Sequence, residues 1–326
     1  MNKKNSNSID EQEMLTELSI DYYYKKITQE EIAKKFNISR IRVGRLLKKA
    51  RDIGIVNITV QHHPVYSGDI EQRLKERFNI SRALISVDHQ DEVTQRNEVA
   101  TLIASYLSER IEDDLTIAVG QGRNIAAIAN SVGYNTDKNC HFICSIGGIH
   151  EKGEQSNSDH ICRQLSKKYG GTSESMYAPA YVKTKELKDK IMDIDTVNAT
   201  ICRARASDIA LIGVGNMDEQ SFMVDLGWFS KQEVVNARIN HGVVGDIAGY
   251  DFFDINGNAV ITPINDRIIG LSIDDYHQIP EVIAIASENN KSLALLGALR
   301  TGVIDVLATS MSNALSILSI DKQKTY

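Results

Sequence analysis

Thr28 to Lys49 reads TQEEIAKKFNISRIRVGRLLKK, and the interpretation of the whole chain turns on this stretch. Ile32, Phe36 and Ile38 recur at helical spacing in its first half, and Val43, Leu46, Leu47 and Ala50, just past its end, in the second. Thr28 suits an N-cap, and Glu31 three residues later completes a capping box, in which side chain and backbone exchange hydrogen bonds. Ser39 suits the cap of the second helix. Asn37 lies between them, where a left-handed backbone residue is needed and Asn tolerates it. Ala33 is small where two helices would cross closely. The combination predicts a helix-turn-helix, whose second helix enters the DNA major groove.

The charge distribution agrees. Tyr22 to Arg51 holds ten Lys and Arg against two Asp and Glu, a net of +8. The whole chain is −6, so the remainder carries −14. One basic segment on an acidic protein is a local nucleic-acid footprint. Residues 11–25 predict a bracing helix with Met14, Leu15, Leu18 and Tyr22 on one face. Gly54 would end the motif, and Ile55–Val60 (IVNITV) would add a strand, giving a winged variant.

At 326 residues the chain has room for two or more domains. Its 42% hydrophobic and 25% charged residues are ordinary for a globular protein. The polar start MNKKNSNSID carries no secretory signal, and no run approaches a membrane span. A cytoplasmic protein is expected. Cys140, Cys144, Cys162 and Cys202 lack C-x-x-C spacing and a histidine cluster to complete a zinc site, so they read as core or near-core thiols. No cofactor or metal is expected.

The domain expectation is a DNA-binding unit over 1–60, a linker over 61–67 around Pro64, and an effector and oligomerisation domain over 68–326. That last region opens with a short helix, Asp69–Phe78, and then alternates apolar strands with helices. Strands are predicted at 83–87, 116–120, 141–148, 208–215, 282–287 and 304–310, and helices at 98–111, 124–132, 160–169, 291–300 and from Asn313. Such alternation specifies an α/β fold with a doubly wound, mostly parallel sheet. FFDINGNAV (252–260) departs from it and reads as a hairpin around Asn256-Gly257.

Ligands of such sheets bind beyond the carboxyl ends of the strands. Four turns place glycine or small polar residues there: Gly120–Asn124, Ser145–Gly148, Gly213–Asn216 and Ser287–Lys291. Amides at a helix start suit an anion, so the turns and Arg123 lead us to expect a phosphorylated ligand. Trp228 reads as a core or interface residue, and neither His141 nor His160 has a partner pattern that makes it catalytic.

The order YYYKKITQEEIAKKFNISRIRVGRLLKKARDIGIV, IAVGQGRNI, DIALIGVG, VVGDIAGYDFFDINGNAV and KSLALLGALRTGVIDVLATSMSNAL resembles SorC/DeoR-type sugar-responsive transcriptional regulators over nearly the whole chain. The resemblance implies a C-terminal domain folded like sugar-phosphate isomerases, a sugar or sugar-phosphate effector, double-stranded operator DNA as partner, and assembly as a tetramer. By position it points to Gly122 and Arg123 in the first glycine turn, with neighbours Gly120, Gln121 and Asn124, and to Gly147 and Gly148 in the second. It also points to Asp246, placed to meet sugar hydroxyls, and to Lys291, which opens a late helix. Three departures stand out: Gly120-Gln121 replaces the usual Ser-Trp, Ser287-Glu288-Asn289-Asn290 replaces a Gly-Gly, and Thr309-Ser310-Met311 replaces Thr-Asp-Glu.

On the DNA side, 100° per residue places Ile41, Arg45 and Lys48 opposite the core stripe, with Gly44 allowing close approach. Arg40 and Arg42 flank that face at the helix start, where base edges are met. Lys34, Lys35, Lys48 and Lys49 are expected on phosphates, and Thr28, Gln29 and Ser39 complete the expected DNA-binding set. The leading reading is a non-enzymatic, ligand-responsive regulator of a carbohydrate operon. An isomerase- or deaminase-like enzyme with a DNA-binding head is the alternative, and a constitutive DNA-binding protein is a third.

Overall fold

The computed structural model describes residues 4–53, 55–56, 64–134, 138–149, 155–219, 221–247 and 251–323. The chain opens with a helix, Lys4–Ser19, that passes into a π-helical turn, Ile20–Tyr24. Two helices follow, Gln29–Lys35 and Arg40–Asp52. The expected capping box forms: Thr28 Oγ1 accepts from the Glu31 amide, and the Glu31 carboxylate accepts from the Thr28 amide at 3.0 Å. Ser39 caps the second helix by accepting from the Arg42 amide at 3.2 Å, and Asn37 takes the left-handed turn with φ +51°. Leu18, Ile32, Ala33, Val43 and Leu47 form the buried core of this unit.

The expected wing falls largely on 57–60, outside the described residues, while 55 and 56 form a bend. The expected linker needs correction. Pro64–Phe78 is one helix, so 64–67 form its first turn, a position where proline's missing N–H costs nothing. Residues 61–63 lie outside the described residues.

Seven strands form a parallel sheet: β1 (Arg82–Ser86), β2 (Thr116–Val119), β3 (His141–Cys144), β4 (Thr172–Glu174), β5 (Ile209–Asn216), β8 (Glu281–Ala286) and β9 (Val306–Ser310). Two short strands, β6 (Gly245–Ile247) and β7 (Asp251–Phe253), hang antiparallel from the end of β5. The order is β1-β9-β8-β5-β2-β3-β4. Every residue of β8 and β9 is buried, as in a sheet covered by helices on both faces. After β2 the chain steps to β3 on one side, and β5 then returns to the other side of β2. The order therefore reverses between β2 and β5, and this crevice is where doubly wound sheets hold ligands.

Asn256-Gly257 does turn, with Gly257 at φ +82° and Asp254 accepting from the Asn256 and Asn258 amides. The more extended pairing is β6 with β7. Helices Lys185–Met192 and Asp195–Arg205 before β5, and Lys231–His241 after it, fill two stretches that the strand–helix alternation left unassigned. Trp228 is buried in a satellite core, its ring stacked on Tyr181 at 5.7 Å. Cys140, Cys144 and Cys162 are buried as expected, whereas Cys202 is exposed. No helix among the described residues is long and apolar enough to cross a membrane.

Candidate functional site

The outer face of the Arg40–Asp52 helix carries the expected DNA-binding side chains. Arg40, Arg42, Arg45, Lys48 and Lys49 are exposed, and so is Ile41, at 71%. A large apolar side chain left that open among cations suits a thymine methyl. Among the described residues no ion pair engages Arg40, Arg42, Arg45 or Lys48. Gln29 is half-buried against Gly44: a Cβ there would lie 3.7 Å from Gln29 Oε1.

Lys35 departs from expectation. Its ammonium lies 2.6 Å from Asp21 and 2.8 Å from Glu17, and the Asp21 side chain is wholly enclosed. Hydrogen bonds from Lys25 and then Lys35 hold the Asp21 carboxyl below its ordinary range. Lys35 thus ties the Gln29–Lys35 helix to the π-helical turn, although its side chain stays 44% exposed. The helical pattern could not show this, because the turn displaces Asp21 from a regular α-helical position.

The second site is a cavity of about 310 Å³ at the β2–β5 crevice. Three of the four expected turns meet there. The turn after β2 supplies Gln121, Gly122, Arg123 and Asn124; the end of β5 supplies Gly213 to Asn216; the segment after β8 supplies Glu288, Asn290 and Lys291. Asp246 on β6 closes over the end of β5. Phe229, Phe252, Met217, Met223 and Val234 add an apolar wall.

The fourth turn is elsewhere. Gly147 and Gly148 do not line the cavity. Their amides donate to Ile269 and Ala178 carbonyls at 3.0 and 2.8 Å, and a Cβ on Gly147 would come within 2.6 Å of the Pro179 carbonyl. The glycine serves close backbone packing, which in sequence looks the same as an anion loop. Gly120 also lies outside the lining, its amide donating to Leu211 at 2.9 Å, and the Gly122 amide is taken by the Ser156 carbonyl at 2.9 Å.

Gly215 explains how Asp246 is placed. A Cβ on Gly215 would fall 2.0 Å from Asp246 Oδ1, so the carboxylate lies where any other residue would put its side chain. Burial pushes the Asp246 carboxyl up to about 6, against the opposing pull of the nearby Lys291. Lys291 Nζ donates to the Val214 carbonyl at 3.2 Å and to Asn216 Oδ1 at 3.0 Å. Glu288 was not singled out from sequence. It is mostly buried, and burial alone would raise its carboxyl. Lys291, the Asn124 amide and Arg96 more than offset that and hold it below the usual range, so it is ionised. No histidine lines the cavity, and among the described residues no group of His, Cys, Asp and Glu could hold a metal ion.

The apolar wall also went unread. Its signal was present in Ser230-Lys231-Gln232-Glu233, a capping box that starts the helix carrying Val234.

A family model described as "Putative sugar-binding domain" matches residues 62–319, and one described as "Sigma-70, region 4" matches residues 20–52. The structure described as the "Putative Sugar-Binding Domain of Transcriptional Repressor" from Vibrio fischeri is 49% identical, covers 78% of this chain and all of its own, and has a TM-score of 0.74. The "Uncharacterized transcriptional regulator YjhU" of Escherichia coli K12 is 25% identical over 306 residues, 92% of each chain. The full-length sorbitol operon regulator SorC of Klebsiella pneumoniae shares the fold, with a TM-score of 0.75 at 23% identity, over 94% of this chain and 98% of its own. A sugar-binding domain over most of the chain, behind a helix-turn-helix with an open basic face, makes this chain a member of the SorC/DeoR-type family of transcriptional regulators.

Proposed function

We propose that the protein regulates a carbohydrate-utilisation operon, and that a sugar or polyol held in the β2–β5 cavity sets its affinity for operator DNA. The observation that carries this reading is Asp246. Its carboxylate sits over Gly215 at the cavity, and among the described residues it has no hydrogen-bond donor of its own. Asp246 is half-buried; an acceptor partly withdrawn from water without a donor is costly, and vicinal hydroxyls supply that donor. The apolar wall suits the C–H face of a sugar.

The reading is of a binding protein. Ligand shifts the balance between two arrangements of the assembly only by binding one of them better, and the spacing of paired recognition helices changes with it. A tetramer is part of the proposal and is checked by light scattering.

The test is operator binding by the full-length protein, measured by fluorescence anisotropy on DNA selected from a random pool, with and without a panel of sugars and polyols. One ligand should change the affinity at least about tenfold. A panel without effect, combined with turnover of a sugar phosphate, would replace this reading with the enzymatic one.

A further inference from the structure

Two guanidinium groups beside the cavity lie within ion-pair range of one carboxylate. Glu288 Oε1 lies 3.8 Å from Arg96 and 3.9 Å from Arg123, and Glu288 Oε2 accepts from the Asn124 amide at 3.1 Å. Its side chain is only 13% exposed. Asn124 is itself fixed, accepting from Ser287 Oγ at 2.6 Å. The cluster stands at the start of the Arg123–Ser131 helix, the place where this fold offers amides and a positive dipole end to an anion. Here the protein's own carboxylate meets the side chain of Asn124, the second residue of that helix. The cavity lining as a whole holds four carboxylates, Glu92, Asp218, Asp246 and Glu288, against two cations, Arg123 and Lys291. Lys291 in turn is bonded to Val214 and Asn216.

We propose that Glu288 is a built-in anion in the phosphate position, so that the effector is an unphosphorylated polyol or sugar. The inference rests on the sugar-effector reading above and narrows it. A phosphate dianion entering beside an ionised, mostly buried carboxylate meets like charge in a medium that screens poorly. It also finds the Arg96 and Arg123 guanidinium groups already within ion-pair range of Glu288. A neutral polyol meets no such penalty. Asp246, Asn216, Asn290 and Gln121 offer polar partners matched to hydroxyls. The anion expected from the glycine turns is therefore present, but it belongs to the chain.

The experiment compares full-length wild type with Glu288→Gln and Glu288→Ala, by thermal shift and calorimetry. The probes are free hexitols and ketohexoses, their 6-phosphate esters, and inorganic phosphate. The glutamine variant keeps the volume and an acceptor for Asn124, so a result survives if the alanine variant fails to fold. Wild type should bind one free polyol or sugar at least about tenfold more tightly than its ester, and both variants should reverse or erase that preference. Inorganic phosphate should stabilise the variants and leave wild type unmoved. Tighter binding of the ester by wild type overturns the proposal, and so does a failure of the variants to gain phosphate binding. If no sugar moves any protein while phosphate stabilises only the variants, the sugar reading falls and the assignment of Glu288 stands.

Discussion

The recognition helix and the cavity are both charged, and they use charge in opposite ways. On the Arg40–Asp52 helix, cations point outward with no intramolecular ion pair on Arg40, Arg42, Arg45 or Lys48 among the described residues. In the cavity Arg123, Lys291 and Glu288 answer one another, and Asp246 is the group left without a donor. Exposed cations cost little unpaired, because water solvates them, and they await a polyanion whose released counterions drive binding. Asp246 is half-buried, and a carboxylate partly withdrawn from water without a donor of its own costs more than an exposed cation. On the proposed function, the unsatisfied group marks the ligand side in each region: many positive charges for DNA, one carboxylate for the effector.

The sharpest way to break this contrast is Gly215→Ala. The added methyl would stand 2.0 Å from Asp246 Oδ1, so the carboxylate must leave its position. Two charge-assisted hydrogen bonds to hydroxyls are together about 3–6 kcal/mol. Effector affinity should fall by more than about a hundredfold, while operator binding in the absence of effector stays within about twofold. Calorimetry and anisotropy on the same preparation check it. Unchanged effector affinity would remove Asp246 from the site.

Arg45→Ala is the matching cut on the other side. A bidentate arginine–guanine pair discriminates by about 1–3 kcal/mol. Affinity for the matched operator should drop about 5- to 150-fold, with little change on scrambled DNA. Equal losses on both would make Arg45 a phosphate contact.

How much of this was legible in sequence differs between the two regions for a physical reason. The helix-turn-helix is a local object. Caps, turn residue and apolar stripe lie within Thr28–Ala50, so Thr28, Asn37 and Ser39 could be assigned one by one. Six of the seven parallel strands were legible from alternation; β4, only three residues long, was not. The cavity is a non-local object, assembled from the ends of β2, β5 and β8 and from β6. Gly122, Gly147 and Gly215 carry the same letter for three different reasons: a helix start, a close backbone crossing and room for Asp246. Glu288 read only as a departure from a glycine pair, because its partners Arg96 and Arg123 lie far away in sequence. The Lys35–Asp21 pair was hidden by the π-helical turn, which breaks the 3.6-residue register on which the projection depends.

Asp246 also separates the regions by pH. Its folded carboxyl is raised to about 6, above an ordinary 3.8. The unliganded protein therefore carries this group's full contribution below about pH 3.8 and loses it as pH rises through about 6. Effector binding runs the other way, since hydroxyls donate to the ionised form. Affinity should tighten about tenfold from pH 5 to pH 7, by proton competition at a single group. Asp246→Asn should flatten this group's part of both profiles and raise the melting temperature of the unliganded protein near neutral pH. A wild-type affinity that is flat across that range would separate the carboxylate from the ligand.

The smallest effect tests Lys35, a cation expected on DNA that also makes intramolecular ion pairs. Lys48 is exposed on the recognition helix, so Lys48→Ala should lower the slope of log affinity against log salt by about one and leave thermal stability unchanged. Lys35 is tied to Asp21 and Glu17. Lys35→Ala leaves Asp21 with Lys25 as its remaining ion-pair partner, at 2.8 Å, and loosens the join between the π-helical turn and the Gln29–Lys35 helix. The melting temperature of the DNA-binding unit should fall, with the salt slope unchanged. A uniform loss of DNA affinity with a slope reduced by one would return Lys35 to the phosphate backbone, and the basic face would then extend beyond the recognition helix.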